Sequence, residues 1–484
     1  MPRGIGMLTS LQTLSAFVVD KDGSHGGADL SELSGLNNLR GQLKIKNLGF
    51  VKNAKEMFRA VNLKAKQHLR SLVLVWSGDG DNDDKPLEDL QPNPNLEPLL
   101  VIGWRGDAKF PSWISLLTSL VNISIWGPTK FKHLPSFAQL PCLQHLFILD
   151  LVEVEYMDSN NPNGRQGDLE SFFPLLKCLH IQNCPNMKGW WRKRPIDDDN
   201  EDDTTVIGTS TMAFPCLSYL HIEDCPLTSM PLYPSLDELK LVKTSSRPLK
   251  QTLQMNITKI SRSSSTPSLP LSKLNSFHGE NIKELDTRIL DECLRHLIGL
   301  ESLTIRDCKE LDLHDMEWEP LKNLSCLVID NIPQLVFLPF GLRHLFQLKT
   351  LEIRYCSGLR SLFPVFQYLT SLEEFSIRNC NELELSEAGI QIFRDYTSLH
   401  ALWLENIPKC QHFPEWLQHL TNLQQLYLIH LPNLTLLPGK MRSLTSLEEL
   451  CIQQTPRLEE RCRKDIGADW HKIAHIATVT IEDF

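Results

Sequence analysis

The sequence predicts an α/β repeat solenoid, in which short parallel strands stack coil upon coil and each coil shields the aliphatic side chains of the next. Three observations predict it. One apolar pattern recurs in phase seven times through the C-terminal half. At 484 residues the chain is too long for one ordinary compact core, so several domains or an elongated array is required. Hydrophobic residues make up 42% of it, enough to line the inside of such an array.

The pattern reads Leu300-x-x-Leu303-x-Ile305-x-x-Cys308, then Leu324-x-x-Leu327-x-Ile329, Leu348-x-x-Leu351-x-Ile353-x-x-Cys356 and Leu372-x-x-Phe375-x-Ile377-x-x-Cys380. It continues as Leu399-x-x-Leu402-x-Leu404, Leu423-x-x-Leu426-x-Leu428 and Leu447-x-x-Leu450-x-Ile452. Successive units lie 24, 24, 24, 27, 24 and 24 residues apart, inside the range of about 20 to 29 residues of leucine-rich repeats. Each L-x-I segment is a short strand, so Leu303 and Ile305 point to one face and Thr304 to the other. The inward face of one unit is too small to stay buried alone, and stacked neighbours cover it. Cys308, Cys356 and Cys380 fall where each coil turns away from the sheet. Leu338-Pro339, Phe413-Pro414 and Leu437-Pro438 mark the return path, where proline forbids a long helix. The expected architecture is a leucine-rich-repeat horseshoe with a concave parallel β-sheet and an irregular convex side.

The N-terminal half carries the pattern less evenly. Units are read at Leu8-x-x-Leu11-x-x-Leu14, Leu36-x-x-Leu39, Leu69-x-x-Leu72-x-Leu74 and Leu117-x-x-Leu120-x-x-Ile123-x-Ile125. Further units follow at Leu140-x-x-Leu143-x-x-Leu146-x-Ile148, Leu176-x-x-Leu179-x-Ile181-x-x-Cys184, Leu217-x-x-Leu220-x-Ile222-x-x-Cys225 and Leu236-x-x-Leu239-x-Leu241. Residues 50–67 read as helical. The expected organisation is irregular repeats over 1–243, with loop insertions at 77–95 and 193–212. A Ser/Pro-rich insertion or linker follows over 244–290, then regular 24-residue repeats over 291–457 and a C-terminal cap over 458–484.

Net charge is −10 and the pI near 5.9, which gives the chain no electrostatic reason to bind nucleic acid or an anionic membrane. None of the 13 cysteines is spaced C-x-x-C. No apolar run follows Met1, and none approaches the ~20 residues of a membrane span, so a cytoplasmic chain with reduced cysteines is expected.

Enzyme, cofactor and metal sites are not expected. No phosphate-binding G-x-x-x-x-G-K-[ST] loop and no G-x-S-x-G elbow occurs. Asp79-Gly80-Asp81-Asn82-Asp83 begins like a calcium loop, but Asp84 stands where glycine is needed and Leu90 where the bidentate Glu is needed. His471 and His475 have zinc-pair spacing on a helix, but Lys472 replaces the Glu a metalloprotease requires. Four Asn-x-Ser/Thr sites, at Asn122, Asn256, Asn323 and Asn433, carry little weight without a secretion signal.

The outward strand positions are the candidates for binding. Between the two apolar residues of the seven regular strands stand Thr304, Val328, Glu352, Ser376, Trp403, Tyr427 and Cys451. After the second apolar residue stand Arg306, Asp330, Arg354, Arg378, Glu405, Ile429 and Gln453. Folding needs no aromatic in the first row, yet adjacent strands about 4.8 Å apart carry Trp403 and Tyr427. Exposed aromatics beside arginine have the composition of an interface hot spot, although single exposed apolar groups are ordinary. The expected partner-binding residues are Trp403, Tyr427, Arg306, Arg354, Arg378, Glu352 and Glu405. The arginines either pair an acidic partner or form a solvated face.

These residues resemble a family. Phe110-Pro111-Ser112-Trp113, Leu134-Pro135 and Leu140-Pro141-x-Leu143-x-x-Leu146 look like the repeat region of plant disease-resistance proteins of the coiled-coil, nucleotide-binding, leucine-rich-repeat class. Phe173-Pro174 with Ile181-x-x-Cys184-Pro185, and Phe214-Pro215 with Ile222-x-x-Cys225-Pro226, repeat the family's phrasing. The start from Met1 to Leu14 is similar to a mid-array repeat. The stretch from Leu458-Glu459-Glu460-Arg461-Cys462 through Gly467-x-Asp469-Trp470-x-Lys472-Ile473-Ala474-His475-Ile476 is similar to the family's terminal cap. Phe137-Ala138 departs from the usual Leu-Gly, and the family's nucleotide-binding and coiled-coil segments are not found, so a truncated product or fragment is expected.

The resemblance implies a protein-recognition module of plant intracellular immunity. Its partners would be pathogen effectors, guarded host proteins or a nucleotide-binding switch domain. The alternatives are the leucine-rich-repeat substrate receptor of a ubiquitin ligase, disfavoured because nothing before Leu8 leaves room for an F-box, and a free-standing repeat adaptor. A cell-surface receptor is disfavoured by the lack of L-x-G-x-I-P repeats.

Overall fold

The structure, a computed structural model, describes all residues except 22–26, 78–85, 107–109, 135–136, 138–139, 159–172, 192–213, 228–235, 248, 251–270, 364, 386–397, 414 and 482–484. The acidic calcium-like loop, Asn256, and the tract 193–212 therefore fall outside the described residues, apart from the ends of the 77–95 loop. The chain forms two compact units, Met1–Leu271 and Ser272–Phe484.

In the second unit nine strands pair in parallel, each with the next in sequence. They are β12 (Ser276–Glu280), β13 (Ser302–Arg306), β14 (Cys326–Asp330), β15 (Thr350–Arg354), β16 (Glu374–Arg378), β17 (Ala401–Glu405), β18 (Gln425–Ile429), β19 (Glu449–Gln453) and β20 (Thr478–Ile481). The register aligns Leu303, Leu327, Leu351, Phe375, Leu402, Leu426 and Leu450 as one buried column. Ile305, Ile329, Ile353, Ile377, Leu404, Leu428 and Ile452 form a second. Burying each such side chain contributes about 1.5–3 kcal/mol, and no coil achieves that without its neighbours.

The first unit is built the same way. Its sheet contains β1 (Ala16–Val18), β2 (Gly41–Lys46), β3 (Leu69–Val75), β4 (Pro98–Ile102), β5 (Asn122–Trp126) and β6 (His145–Leu149), then β8 (Cys178–Gln182), β10 (Tyr219–Glu223) and β11 (Glu238–Val242), all parallel. A separate parallel pair joins β7 (Tyr156–Asp158) to β9 (Gly189–Trp191). Within the stretch read as helical, α1 spans Ala54–Ala60.

Two strands depart from the sequence reading. β4 follows Leu96-x-x-Leu99-x-Val101, a unit additional to those of the sequence pattern. Its run Leu99-Leu100-Val101-Ile102 is apolar on both faces and shows no alternation. β12 lies inside the stretch 244–290, expected as a non-repeat insertion, and pairs with β13 throughout its length. Gly279 occupies the second inward position there, so the apolar signature is halved. Ile282 and Phe277 pack around the glycine instead, about 3.0 and 3.4 Å from where its Cβ would stand. After β12, α2 spans Thr287–Leu294, with Asp286 accepting the Ile289 N–H at its N-terminus.

From β12 to β18 each coil leaves the sheet through one left-handed residue just after the strand. Asn281, Asp307, Asn331, Tyr355, Asn379, Asn406 and His430 have φ between 47° and 57°. Asn and Asp tolerate this region best, which accounts for their recurrence. Each N–H donates to the last strand carbonyl of the next coil, as Asn331 does to Arg354 at 2.8 Å and Asn379 to Glu405 at 2.9 Å. The cysteine that follows turns inward. The Cys308, Cys356 and Cys380 thiols donate to the carbonyls of Arg306, Arg354 and Arg378 at 3.3 to 3.5 Å. Burial pushes the Cys356 and Cys380 thiols up to about 12. On the return path Pro339, Pro438 and Pro111 each precede a short 3-10 helix, as the proline chemistry requires.

The far end of the second unit is closed by α3 (Pro456–Cys462), α4 (Trp470–Ile473) and β20, which adds to β19. Leu458, Cys462 and Ile473 are fully buried beneath them.

Candidate protein-recognition surface

The alternation that buries Leu351 and Ile353 turns Glu352 and Arg354 to the free face of the sheet. All seven expected binding residues stand on that face of the second unit, in the rows the register predicts. Trp403 and Tyr427 stack with ring centroids 4.3 Å apart and planes 24° from parallel. The Arg378 guanidinium lies 4.4 Å over the other side of the Trp403 ring. The Trp403 indole N–H donates to Glu405 at 3.0 Å. Burial, joined by Glu449, raises the Tyr427 phenol.

The arginines are not free. Arg354 meets Glu352 at 2.5 Å, and Arg378 lies 3.6 Å from Glu352 and 3.9 Å from Glu405. Arg306 stands apart from this cluster and holds the buried Asp330 at 2.7 Å, with Glu280 at 3.6 Å. The hydrogen bond that Arg306 donates to Asp330 holds the guanidinium above its usual range. Neither open reading of the arginines, an acidic partner or a solvated face, included these pairings: each arginine already meets carboxylates of the same sheet. What remains is a pre-ordered aromatic pair, braced on one side by a guanidinium whose charge is matched by its neighbours. Such a patch offers rigid area at little ordering cost to a protein partner.

Beside these rows the left-handed turns line an open groove of about 580 Å³, including Asp307, Asn331, Tyr355, Asn379 and Asn406. Its polar side chains tie coil to coil: the Asn331 amide donates to the Asp307 carboxylate at 2.5 Å and the Asn406 amide to the Asn379 carbonyl oxygen at 2.7 Å. The other sequence candidates also have structural duties. The Asn323 and Asn433 amides donate to the carbonyls of Ile298 and Pro408 at 2.9 and 2.8 Å. His475 lies 3.4 Å from the Leu444 carbonyl, and the His471 carbonyl accepts from Arg442. Among the described residues no group of three or more His, Cys, Asp or Glu is placed to hold a metal ion. No described helix is long and apolar enough to cross a membrane.

The free face of the first unit was not singled out from the sequence. One row runs Lys44, Val73, Leu100, Ser124, Phe147, His180, His221 and Lys240. Beside it run Val75, Ile102, Trp126, Leu149, Gln182, Glu223 and Val242. The His180 and His221 rings stack 4.1 Å apart, and burial lowers the His180 imidazole. The available signal was the apolar residue at intervening positions in β3, β4 and β6.

Residues 30–151 match the R13L1/DRL21 family of leucine-rich repeats, and residues 243–381 match the family of leucine-rich repeats of the RPS2-like plant disease resistance protein. The chain is 35% identical to the putative disease resistance protein RGA4 of Solanum bulbocastanum over 50% of its own length and 23% of that protein's. It is 32% identical to the putative disease resistance protein RGA1 of the same species, over 64% of this chain and 28% of that one. The chain thus spans about a quarter of the length of these relatives. A leucine-rich-repeat protein of Leptospira interrogans superimposes with a TM-score of 0.49 at 17% identity, over 94% of this chain and 92% of that one. The chain is thus similar, over residues 30–151 and 243–381 and over half to two thirds of its length respectively, to leucine-rich repeats of plant disease-resistance proteins and to proteins named as disease resistance proteins.

Proposed function

We propose that this chain is a non-catalytic protein-recognition module of plant intracellular defence, acting in the cytoplasm. Its partner at the second unit is a pathogen effector, a guarded host protein or a nucleotide-binding switch domain. The single observation that carries this reading is the stacked Trp403–Tyr427 pair with Arg378 behind it, held on the face of the sheet that folding leaves free. Partner contact runs through Trp403, Tyr427, Glu352, Arg354, Arg378 and Glu405, with Arg306 at the margin.

The test is co-precipitation of the tagged chain from leaf extract with chemical crosslinking, the crosslinked residues being identified by mass spectrometry. Crosslinks that map to β15–β18, and that disappear in Trp403→Ala/Tyr427→Ala, support the reading. Trp403 loses one aromatic stack worth about 0.5–1.5 kcal/mol and one exposed cation–π contact worth about 0.5–1 kcal/mol. Melting should then fall by only a few degrees. Undiminished capture by the folded double variant refutes it.

A further inference from the structure

We propose that the free face of the first unit, across β3 to β6, is a second docking surface, and that it takes a partner segment with an apolar face and carboxylates at the end lying over β2. The reading goes beyond the Trp403–Tyr427 surface and stands on different residues.

The register places Val73, Leu100, Ser124 and Phe147 in one outward row and the uninterrupted apolar set Val75, Ile102, Trp126 and Leu149 in the next. Val73 is covered, Trp126 is 42% exposed, and the others are partly exposed. Contiguous apolar surface of this kind marks an interaction site on a soluble chain. Four strands at about 4.8 Å give it a length of about 14 Å, close to ten residues of helix.

Its rim is bare. Where most coils place Asn or Asp after the strand, β4 and β5 are followed by Gly103 and Gly127, with φ of 71° and 105°. At these two turn positions glycine offers no side chain beside Ile102 or Trp126.

The two ends of the strip differ. At β2, Lys44 stands in register with Val73, and Lys46 points to the same side. Both are partly exposed, and neither has an ion-pair partner among the described residues. At β8 the rows turn to His180 and Gln182, which carry no fixed charge. In the second unit, by contrast, Arg306, Arg354 and Arg378 are matched by carboxylates of the sheet itself. Two unmatched lysines at one end of an apolar strip therefore call for carboxylates in the partner, and fix its direction along the sheet.

The experiment selects a displayed library of random 16-residue peptides on the full chain and measures the winners by fluorescence anisotropy. Winners should be rich in Leu, Phe and Trp, with Asp and Glu gathered at one end. Ile102→Lys/Trp126→Ala should weaken them at least tenfold with the circular dichroism unchanged, and Ile102→Gln alone should do so in the same direction if the double variant unfolds. Trp403→Ala/Tyr427→Ala should leave them untouched, which separates this surface from the other. Reselection on Lys44→Glu/Lys46→Glu should return basic rather than acidic ends. The proposal is overturned by an empty selection, by winners indifferent to Ile102, or by an unchanged charge preference. An Ile102-dependent dimer in sedimentation equilibrium also overturns it, by naming a second copy as the occupant.

Discussion

Asp469 is the test of how the array is closed. Its side chain is 1% exposed. One carboxylate oxygen accepts from Arg461 Nε at 2.9 Å and from the Leu437 N–H at 3.3 Å. The other accepts from Arg461 Nη2 at 3.1 Å and from Lys472 Nζ at 2.8 Å. Burial pushes the carboxyl up, but the hydrogen bonds from Arg461, Lys472 and Leu437 outweigh it and hold the pKa at about 2, against an ordinary 3.8. At about 1.4 kcal/mol per unit this depression stabilises the folded cap by about 2 kcal/mol. Removing one partner of a buried pair costs about 3–5 kcal/mol, and the half-exposed Arg461 brings that to the lower end. Asp469→Asn should therefore destabilise the cap by about 2–3 kcal/mol at pH 7. Because the folded pKa is depressed, the stabilisation is fully present above the unfolded value near 4 and is lost as pH falls towards 2. By pH 3 the gap between wild type and variant should shrink by about 1 kcal/mol. Hydrogen exchange of peptides covering 437–476, read by mass spectrometry, measures the local opening free energy. Equal protection at pH 7, or a gap that does not narrow by pH 3, would refute the account of Asp469 as a paired, buried anion.

Two further outcomes follow from the turns. Cys356, Cys380, Cys410 and Cys462 are buried with thiols pushed up to about 12, whereas Cys142 and Cys216 are exposed. Iodoacetamide at pH 8 should label Cys142 and Cys216 in the native chain and reach the other four only in denaturant; native labelling of Cys356 contradicts the coil packing. Gly103 has φ of 71°, and a Cβ there would stand 2.5 Å from the Trp76 carbonyl oxygen. Gly103→Ala should cost about 2 kcal/mol or more in urea denaturation, and a neutral substitution would show that β3 and β4 pack more loosely than described.

The inward columns were legible because a constant period fixes both the pairing partner and the direction of each side chain. Leu303, Leu327 and Leu351 had no other consistent arrangement. β4 and β12 escaped for opposite reasons. Residues 99–102 are apolar at every position and lose the alternation, while Gly279 removes half of it. On the free face the rows were legible and their chemistry was not. Arg306 reads as an available cation until its neighbour one coil away, Asp330, is set beside it. Reading down a column of arginines hides pairings that run across the strands. The apolar patch of the first unit was hidden similarly, since Val75, Ile102, Trp126 and Leu149 are separated by whole coils and none is unusual alone.

The division between the two faces of one sheet is what allows recognition to vary without loss of fold. Leu351 is fully buried in the column, and truncating it to alanine removes packing worth about 2–5 kcal/mol. Truncating Trp403, two strands away on the other face, removes contacts worth about 1–2 kcal/mol, part of them screened by solvent. Substitutions on the free face are therefore tolerated several at a time, and substitutions in the column are not. The same backbone can carry an aromatic patch on β15–β18 and an apolar strip with a cationic end on β2–β6, because neither set of side chains is asked to hold the coils together.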